Sequence, residues 1–403
     1  MKTLRITLLS LCEIIFFAVL SGQQKTCNNN FIKKNVKFAA AQESRQVKQI
    51  EKSGRFVNPR TFENGKIKYV SYKDWTAGFF PGSMWYLYEL TAKKKWKNLA
   101  MRYTQQLDST KYRTNTHDLG FILECSYGNG YRLTRDSTYK NVIIRAAQSL
   151  KTRFRPAAGI IQSWDLNPGW QSQRGWECPV IIDNMMNLEM LFNATRLSGD
   201  SSYYKIAVSH ADKTMQNHYR PDYSCYHVVD YSLKDGSVRS RQTGQGYAHE
   251  SSWARGQAWG IYGFTVCYRE THNPKYLLQA QKAFDFVIHA KNFPSDYVPY
   301  WDFDAPKIPN EPRDASAAAV MASALYELST YENSKFYKSW ADKIMISLGS
   351  PAYRAKLSEN GNFILMHSVG SIPHGVEIDV PLNYADYYFL EALKHKKELE
   401  SHK

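Results

Sequence analysis

The 403-residue sequence contains only six cysteines, and they are widely spaced. It has no Cys-x-x-Cys pair and no His-x-x-x-His spacing, so zinc sites of the common kinds are not expected. Once a leader carrying Cys12 is set aside, five cysteines remain, an odd number that does not form a disulfide framework. We therefore predict no metal site, and we interpret the helical cysteines as small buried hydrophobic side chains.

Long apolar runs are absent beyond the first twenty residues, so no later segment is expected to span a membrane. Residues 1–22 begin with basic residues (Lys2, Arg5), continue with an apolar stretch and end with small residues. This is the pattern of a secretory signal peptide. We expect an exported protein, either periplasmic in a bacterium or released. We also expect residues 23–403 to form a single domain, because no low-complexity linker interrupts them.

Negative charge is under-represented: the formal net charge is +15. Such a surface favours an acidic partner. Nucleic acid and an anionic sugar fit this charge equally well, but no compact basic run interleaved with aromatic residues occurs, so we expect no nucleic acid. The 14% aromatic content, with 28 Tyr and 10 Trp, excludes disorder. It suits a large core and also a cleft in which rings stack on sugars.

Six segments share a nearly all-apolar composition and a polar or Trp-bearing start, and they form the internal repeat of the chain. Six others are amphipathic, with apolar residues at i, i+3, i+4 and i+7. The first set should be buried beneath the second, which predicts an all-α fold, an (α/α)6 toroid of six inner and six outer helices. The inner segments are residues 74–91, 117–134, 183–200, 253–271, 313–330 and 383–397, and the outer segments are residues 38–53, 94–109, 139–154, 203–219, 276–292 and 336–350.

Two aspartates stand at the starts of inner segments, Asp118 in HDLGF and Asp183 in IIDNMMN. Each alone fits an ordinary helix N-cap. In a toroid, however, the inner helices all begin at one mouth, and capping does not predict Trp75 or Arg255 there. We expect Trp75, Asp118, Asp183, Arg255 and Asp314 to share this mouth. Together the two acids form a carboxylate pair suited to acid–base chemistry on a sugar. An apolar neighbour such as Trp164, together with the like charge, would raise the pKa of one carboxyl so that it holds a proton.

A third cluster of polar and aromatic residues lies in TGQGYAHESSWARGQAWG. Arg255 and Trp259 are four residues apart and therefore share a helix face. An arginine beside two tryptophans suits a carboxylate in a partly dry cleft. The alternative for Arg255 is an ion pair with Glu250 or Asp230. For His227, upstream in CYHVVDY, the alternative is a buried histidine with satisfied hydrogen bonds.

These motifs resemble the signature blocks of the unsaturated glucuronyl hydrolases, glycoside hydrolase family 88. The resemblance covers almost the whole chain from about Trp75 to Leu393. The blocks follow the order of the family, which makes the set far more specific than any single motif. They are DWTAGFFPG, HDLGF, IIDNMMN, YHVVDY, TGQGYAHESSWARGQAWGIYGF, RDASAAA and YADYYFLEAL.

The resemblance implies a hydrolase that removes a Δ4,5-unsaturated uronic acid from the non-reducing end of lyase products by hydrating its vinyl ether double bond. Asp183 matches the general acid/base, which protonates C4 while water adds at C5. Asp118 matches a second essential aspartate, and no metal or organic cofactor is implied. The residues that match positions holding the uronate, stabilising charge or lining the pocket are His227, Gln245, Arg255, Trp259, Trp75, Trp164 and Trp253.

The segment MHSVGSIPHG departs from the family pattern. Members that accept sulfated chondroitin or hyaluronan products carry Ser-x-x-Ser-x-Lys there. This chain keeps Ser368 and Ser371, but Pro373 replaces the lysine and His374 follows. Any sulfate site here is therefore of different construction, and the sequence does not establish whether one exists. We expect glycosaminoglycan fragments of chondroitin, hyaluronan or heparin type as substrates. We expect a monomer or a weak oligomer.

Three alternatives remain open from the sequence. An unsaturated rhamnogalacturonyl hydrolase would share the fold and act on pectin fragments, but Asp118 and the block from Gln245 to Arg255 argue against it. A sugar epimerase would need histidines at two facing helix mouths, and the rest of that pattern is missing. A non-catalytic, exported glycan-binding protein would need the tryptophans and the basic surface but neither acid.

Overall fold

The computed structural model describes residues 27–55, 57–166 and 169–401. The predicted signal peptide, residues 1–22, lies outside the described residues. Twelve α-helices occur in the part of the chain that the structure describes. They are α1 (Asn29–Lys52), α2 (Phe79–Thr91), α3 (Lys94–Gln105), α4 (Asn129–Thr134), α5 (Ser137–Lys151), α6 (Leu188–Ser198), α7 (Ser201–Asn217), α8 (Ala254–Thr271), α9 (Pro274–His289), α10 (Ala315–Leu328), α11 (Ser334–Leu348) and α12 (Asn383–Ser401).

The even-numbered helices form a closed inner ring. Around the ring, α2 contacts the π-helical segment that precedes α4, this segment contacts α6, and α8, α10 and α12 follow until α12 returns to α2. Each odd-numbered helix packs on the outside of an inner neighbour, with α1 against α12. The fold is therefore the predicted (α/α)6 toroid, with all six inner and all six outer helices where the repeat placed them.

The two kinds of helix differ in how much of their surface is buried. In the inner helix α10, every residue except Glu327 is buried. The outer helix α3 buries only Trp96, Ala100, Tyr103 and Thr104, which lie on one face. A helix that is apolar on all sides must be buried, and amphipathic helices form the layer that covers it. The contrast in composition thus determines which helices form the ring.

Two inner helices do not begin as α-helices, although the apolar pattern predicts regular helices there. Gly120–Gly128 is a π-helix and Ile182–Asn187 is a 3₁₀ helix. The side chain of Asn187 accepts a hydrogen bond from the Gly120 N–H (2.8 Å). A Cβ atom on Gly120 would come within 2.6 Å of Asn187, so only glycine allows this approach. Side-chain contacts between the two helices thus replace the regular backbone ladder at the ends that carry the acids.

Short antiparallel strands connect the helices: β1 (Asn58–Glu63), β2 (Lys66–Val70), β3 (Phe154–Arg155), β4 (Ile160–Ile161), β5 (Pro179–Ile181), β6 (Val228–Tyr231), β7 (Val238–Gln242), β8 (Ser368–Ser371) and β9 (Val376–Val380). In the sheet β5–β6–β7, Ile181 pairs with Val228. Asp183 lies two residues after Ile181, the last residue of β5, and His227 directly precedes β6. The pairing of β5 with β6 therefore brings Asp183 and His227 together. The hairpin β8–β9 carries Ser371 to the same mouth.

Within residues 27–401 as described, no helix combines the length and apolarity that a membrane crossing requires. The five cysteines in this part of the chain are free and buried, as predicted. Burial raises the pKa of the Cys178 thiol to about 12. Such a thiol is a poor nucleophile at neutral pH.

Candidate active site

A cavity of about 120 Å³ opens where the inner helices begin. Residues that are far apart in the sequence meet there, as the toroid predicts. Two of the predicted site residues in its wall are the aspartates, and the others are aromatic, cationic or hydrogen-bonding. The predicted residues that line the cavity are Trp75, Asp118, Trp164, Asp183, Gln245, Arg255 and Ser371.

Asp183 lies in the first turn of the 3₁₀ helix, directly after β5. Its side chain does not cap the helix, and its Oδ2 atom is buried without a hydrogen-bond partner among the described residues. Burial, with a smaller contribution from the charge of Asp118, raises its pKa from 3.8 to about 7 against the opposing charge of Arg255. The N-cap interpretation is therefore wrong for Asp183. Its carboxyl holds a proton for a large part of the time at neutral pH.

Asp118 faces the same cavity from the start of the π-helix. Its Oδ2 atom accepts a hydrogen bond from the Thr116 hydroxyl (2.9 Å), and its Oδ1 atom lies 3.3 Å from Nε2 of His117. It does not cap the π-helix either. Burial lowers the pKa of His117 although Asp118 opposes the shift. Asp118 is thus a second carboxyl, held beside a largely neutral imidazole.

His227 is buried beneath the cavity, with its ring held by backbone amides. Nδ1 accepts hydrogen bonds from the N–H groups of Gly244 (2.9 Å) and Gln245 (3.0 Å). An acceptor Nδ1 requires the proton to sit on Nε2, which lies 3.7 Å from Oδ2 of Asp183. Burial, reinforced by the positive charge of Arg255, lowers the pKa of His227 well below its usual range. His227 therefore presents a neutral Nε2–H to the Asp183 carboxyl. The alternative of a buried histidine with satisfied hydrogen bonds holds for Nδ1 but not for Nε2.

Arg255 is buried at the start of α8 and lines the cavity. Its Nη1 atom forms an ion pair with Asp314 (3.2 Å) and contacts the carbonyl of Val369, and its Nη2 atom donates to the carbonyl of Gly370 (2.8 Å). Asp314 also caps α10 by accepting from the Ser316 N–H (3.0 Å). The proposed partners Glu250 and Asp230 were wrong, because these acids lie against Arg220 and Arg239. One carboxylate and two carbonyls hold the guanidinium rigidly, and its Nε atom has no hydrogen-bond partner among the described residues.

Like His227, three further predicted site residues lie behind the cavity and do not line it. Trp253 packs on the ring of His227 (centroids 4.7 Å apart) and under the guanidinium of Arg255 (4.5 Å). The indole N–H of Trp259 lies near the Asp183 carboxyl and lowers its pKa. Ser368 is fully buried in β8. These residues support the residues that line the cavity instead of meeting a ligand there.

The wall also contains polar residues that were not among the predicted site residues, including Arg60, Glu377 and Tyr384. Arg60 in β1 forms an ion pair with Glu377 (2.5 Å) and with Asp74 (2.9 Å). The guanidinium of Arg255 lies 5.2 Å from the ring centroid of Tyr384. The hydroxyl of Tyr384 has no hydrogen-bond partner among the described residues. Tyr384 begins the block YADYYFLEAL and could have been found there. No local spacing marks Arg60 or Glu377, which are 317 positions apart.

The described residues contain no group of three or more His, Cys, Asp or Glu side chains placed to hold a metal ion. The expectation that no metal or cofactor takes part stays a prediction. What the cavity does contain is a carboxyl with a raised pKa, a second carboxyl and a buried arginine, lined by indole rings. A buried acid with a raised pKa beside a second carboxyl is the apparatus of acid–base chemistry on a sugar.

A carboxyl pair at the mouth of an (α/α)6 toroid defines a carbohydrate-active hydrolase. The family model Glycosyl Hydrolase Family 88 matches residues 49–397. The chain belongs to this family, and the predicted resemblance is confirmed.

Curated relatives and solved structures agree with this assignment. The chain is 50% identical over 331 residues to the unsaturated glucuronyl hydrolase of Formosa agariphila, which covers 82% of each chain. It is 31% identical over 347 residues to the unsaturated chondroitin disaccharide hydrolase of Streptococcus agalactiae, covering 84% of this chain and 85% of that one. A crystal structure of an unsaturated glucuronyl hydrolase specific for heparin matches with a TM-score of 0.88 and 44% identity, over 93% of this chain and 99% of that one. The chain is therefore a glycoside hydrolase, and neither the epimerase nor the non-catalytic alternative fits.

Proposed function

We propose that this hydrolase removes the Δ4,5-unsaturated uronic acid from the non-reducing end of glycosaminoglycan oligosaccharides produced by lyases, of chondroitin, hyaluronan or heparin type. The observation that carries the proposal is the raised pKa of Asp183, about 7, in a cavity that also holds Asp118 and Arg255. The relatives named for glucuronyl and chondroitin disaccharide substrates support it.

In the proposed reaction, Asp183 transfers its proton to C4 of the unsaturated ring. Positive charge then develops at C5 and the ring oxygen, where the carboxylate of Asp118 stabilises it. Water forms a bond to C5 and returns a proton to Asp183, so the net change is addition of one water. The hemiketal opens, the glycosidic bond breaks, and the remaining sugar leaves. The neutral Nε2–H of His227 faces Asp183 and favours its carboxylate form after the proton has left.

Arg255 is the proposed partner of the uronate carboxylate. It is held by Asp314 and by two backbone carbonyls, and therefore loses little conformational freedom when it binds a ligand. Charge-assisted hydrogen bonds between a guanidinium and a carboxylate are among the strong ones in proteins. Gln245, whose backbone N–H fixes His227, lines the cavity beside it.

We further propose that Arg174 and His374 meet an anionic group on the second sugar. The Ser371 hydroxyl lies 2.7 Å from Nδ1 of His374, whose ring is 4.8 Å from Trp170. The guanidinium of Arg174 lies 5.4 Å from the Trp170 ring centroid and 5.7 Å from that of Trp176. Arg174 has no carboxylate partner within the residues that the structure describes. It is the proposed replacement for the lysine that this chain lacks at Pro373.

Export to the periplasm, with release as the second possibility, remains part of the proposal and rests on residues 1–22. Fractionation of bacteria producing the full chain, with N-terminal sequencing of the product, tests it: cleavage near residue 22 is expected. A monomer or weak oligomer is likewise proposed, and sedimentation at several protein concentrations tests it.

The central experiment follows the ultraviolet absorbance of the C4=C5 double bond in disaccharides that lyases release from chondroitin, hyaluronan and heparin. Loss of absorbance with the wild type, but not with Asp183→Asn, supports the proposed reaction and ranks the substrates. No loss with any of these disaccharides would contradict the substrate assignment. Pectin-derived fragments, the substrates of the rhamnogalacturonyl alternative, are then the next compounds to assay.

A further inference from the structure

A second concave surface lies far from the catalytic mouth, and we call it the lysine groove. The groove runs between α1 and the connection from α2 to α3, near the C-terminal ends of α2 and α12. Because the cavity lies where the inner helices begin, the groove lies toward the opposite end of the toroid. Its volume is about 520 Å³. Its floor contains Ile32, Val36, Ala40, Leu90 and Trp96.

Five lysines line this groove, and all are exposed: Lys33, Lys37, Lys93, Lys95 and Lys397. None of the lining residues that the structure describes is Asp or Glu. Lys95 donates to the Ser44 hydroxyl (2.7 Å) and Lys397 to the carbonyl of Leu90 (3.2 Å), and both acceptors are neutral. The positive charges of the groove therefore have no compensating carboxylate in its walls.

The like charges disfavour one another. Lys33 and Lys37 are one helical turn apart on α1, a spacing at which like charges destabilise a helix. Desolvation, together with the charges of Lys48 and Lys93, lowers the pKa of Lys95. An anionic ligand would relieve this repulsion, so binding such a ligand has a favourable term that an ordinary surface does not offer.

The walls also indicate which polyanion fits. Single-stranded nucleic acid is held by exposed aromatic rings that stack on its bases, and membrane surfaces are held by exposed large apolar side chains. Among the described residues, none of the exposed large hydrophobic side chains belongs to the groove, and Trp96 is fully buried. Lysines on flexible stems suit sulfate and carboxylate groups that repeat along a polysaccharide strand.

We propose that the lysine groove binds a strand of an anionic polysaccharide, sulfated or uronate-rich, away from the cavity that takes the terminal unsaturated sugar. The proposal goes beyond the hydrolytic function and is tested by binding alone. Its failure would leave the proposed reaction untouched, and failure of the reaction would leave the groove untouched. The consequence is an enzyme held on the polymer whose fragments it degrades.

The probe is a heparin or chondroitin sulfate chain whose non-reducing end is saturated, so that it is not a substrate. Binding is measured by titration calorimetry in 50 mM and 300 mM NaCl. The test variant carries Lys33→Gln, Lys37→Gln and Lys93→Gln; these three side chains form no hydrogen bond or ion pair with the residues that the structure describes. The control carries Lys205→Gln, Lys291→Gln and Lys335→Gln, which are exposed lysines elsewhere on the surface with the same change in charge.

At low salt, the test variant should bind roughly tenfold more weakly than the wild type, as expected when three exposed charge pairs are lost. The control should change less than twofold, and both variants should hydrolyse unsaturated disaccharides at the wild-type rate. Equal weakening of the two variants would show that only the overall charge matters and would overturn the proposal. An unchanged test variant would also overturn it. So would a test variant that loses binding to vesicles of anionic lipid while it keeps its affinity for the polysaccharide.

Discussion

Replacing Asp183 with asparagine should abolish activity. The unfolding free energy of the variant, relative to that of the wild type, should increase as pH rises. The carboxyl is 8% exposed, and burial raises its pKa from 3.8 to about 7. Below pH 3.8 the carboxyl is protonated in both the folded and the unfolded chain. Between pH 3.8 and 7 it ionises in the unfolded chain but keeps its proton in the folded one, so the wild type loses stability as pH rises. Above about 7 the loss is constant.

The magnitude follows from the pKa values. One pH unit corresponds to about 1.4 kcal/mol, so between pH 5 and pH 8 the wild type should lose roughly 3 kcal/mol that the Asp183→Asn variant does not lose. The buried amide has its own desolvation cost of about 1–3 kcal/mol, but this cost does not vary with pH. The quantity to compare is therefore the change with pH in the difference between the two unfolding free energies.

Urea denaturation followed by tryptophan fluorescence at pH 5, 6, 7 and 8 measures this difference. Asp200→Asn serves as the control, because Asp200 is an exposed helix cap whose pKa is lowered by hydrogen bonds from Ser202. Its stabilising effect is lost only as pH falls, so its difference from the wild type should be constant above pH 5. A pH-independent difference for Asp183→Asn would refute the argument that burial keeps this carboxyl protonated, and with it the proposed proton donor.

Three further predictions concern the other groups of the site. The turnover number of the wild type should fall as pH rises through about 7, because the proposed donor Asp183 must be protonated; a rate that keeps rising to pH 9 would contradict this. His227→Gln should lower the turnover number at least tenfold with a smaller change in KM, and an effect on KM alone would make His227 a binding residue. Arg174→Gln should reduce kcat/KM about fivefold to tenfold for a disaccharide sulfated on its second sugar, as expected for one exposed charge pair, and leave the unsulfated one unchanged.

The ring of helices was predictable because its signal is local. Each inner segment is apolar over several turns and each outer segment carries one apolar stripe, and alternation of the two is enough to define the toroid. The position of the mouth followed from the ring, since the inner helices of the toroid all begin at the same end. Trp75, Asp118, Asp183, Arg255 and Asp314 were placed together on that basis. The cavity contains the first four, whereas Asp314 is buried behind it as the partner of Arg255.

The details of the site were not predictable because they depend on contacts between distant positions. The π-helix after Asp118 is fixed by Asn187, 67 residues away, and periodicity carries no trace of it. The partner of Arg255 is Asp314, although the sequence interpretation chose acids closer in the chain. Trp253 and Trp259 were expected at the pocket because they match positions of the family that line it or hold the uronate. They lie behind it, where the same rings fill the core.

The closure of the ring by its last helix has a consequence for how the enzyme is made. The cavity joins Arg60 near one end of the described chain to Tyr384 near the other. A chain lacking α12 leaves α2 and α10 without their common neighbour. Contacts across such separations form late, because they close the longest loops. Formation of the complete site therefore depends on α12, which brings Tyr384 to the cavity and packs against both α2 and α10.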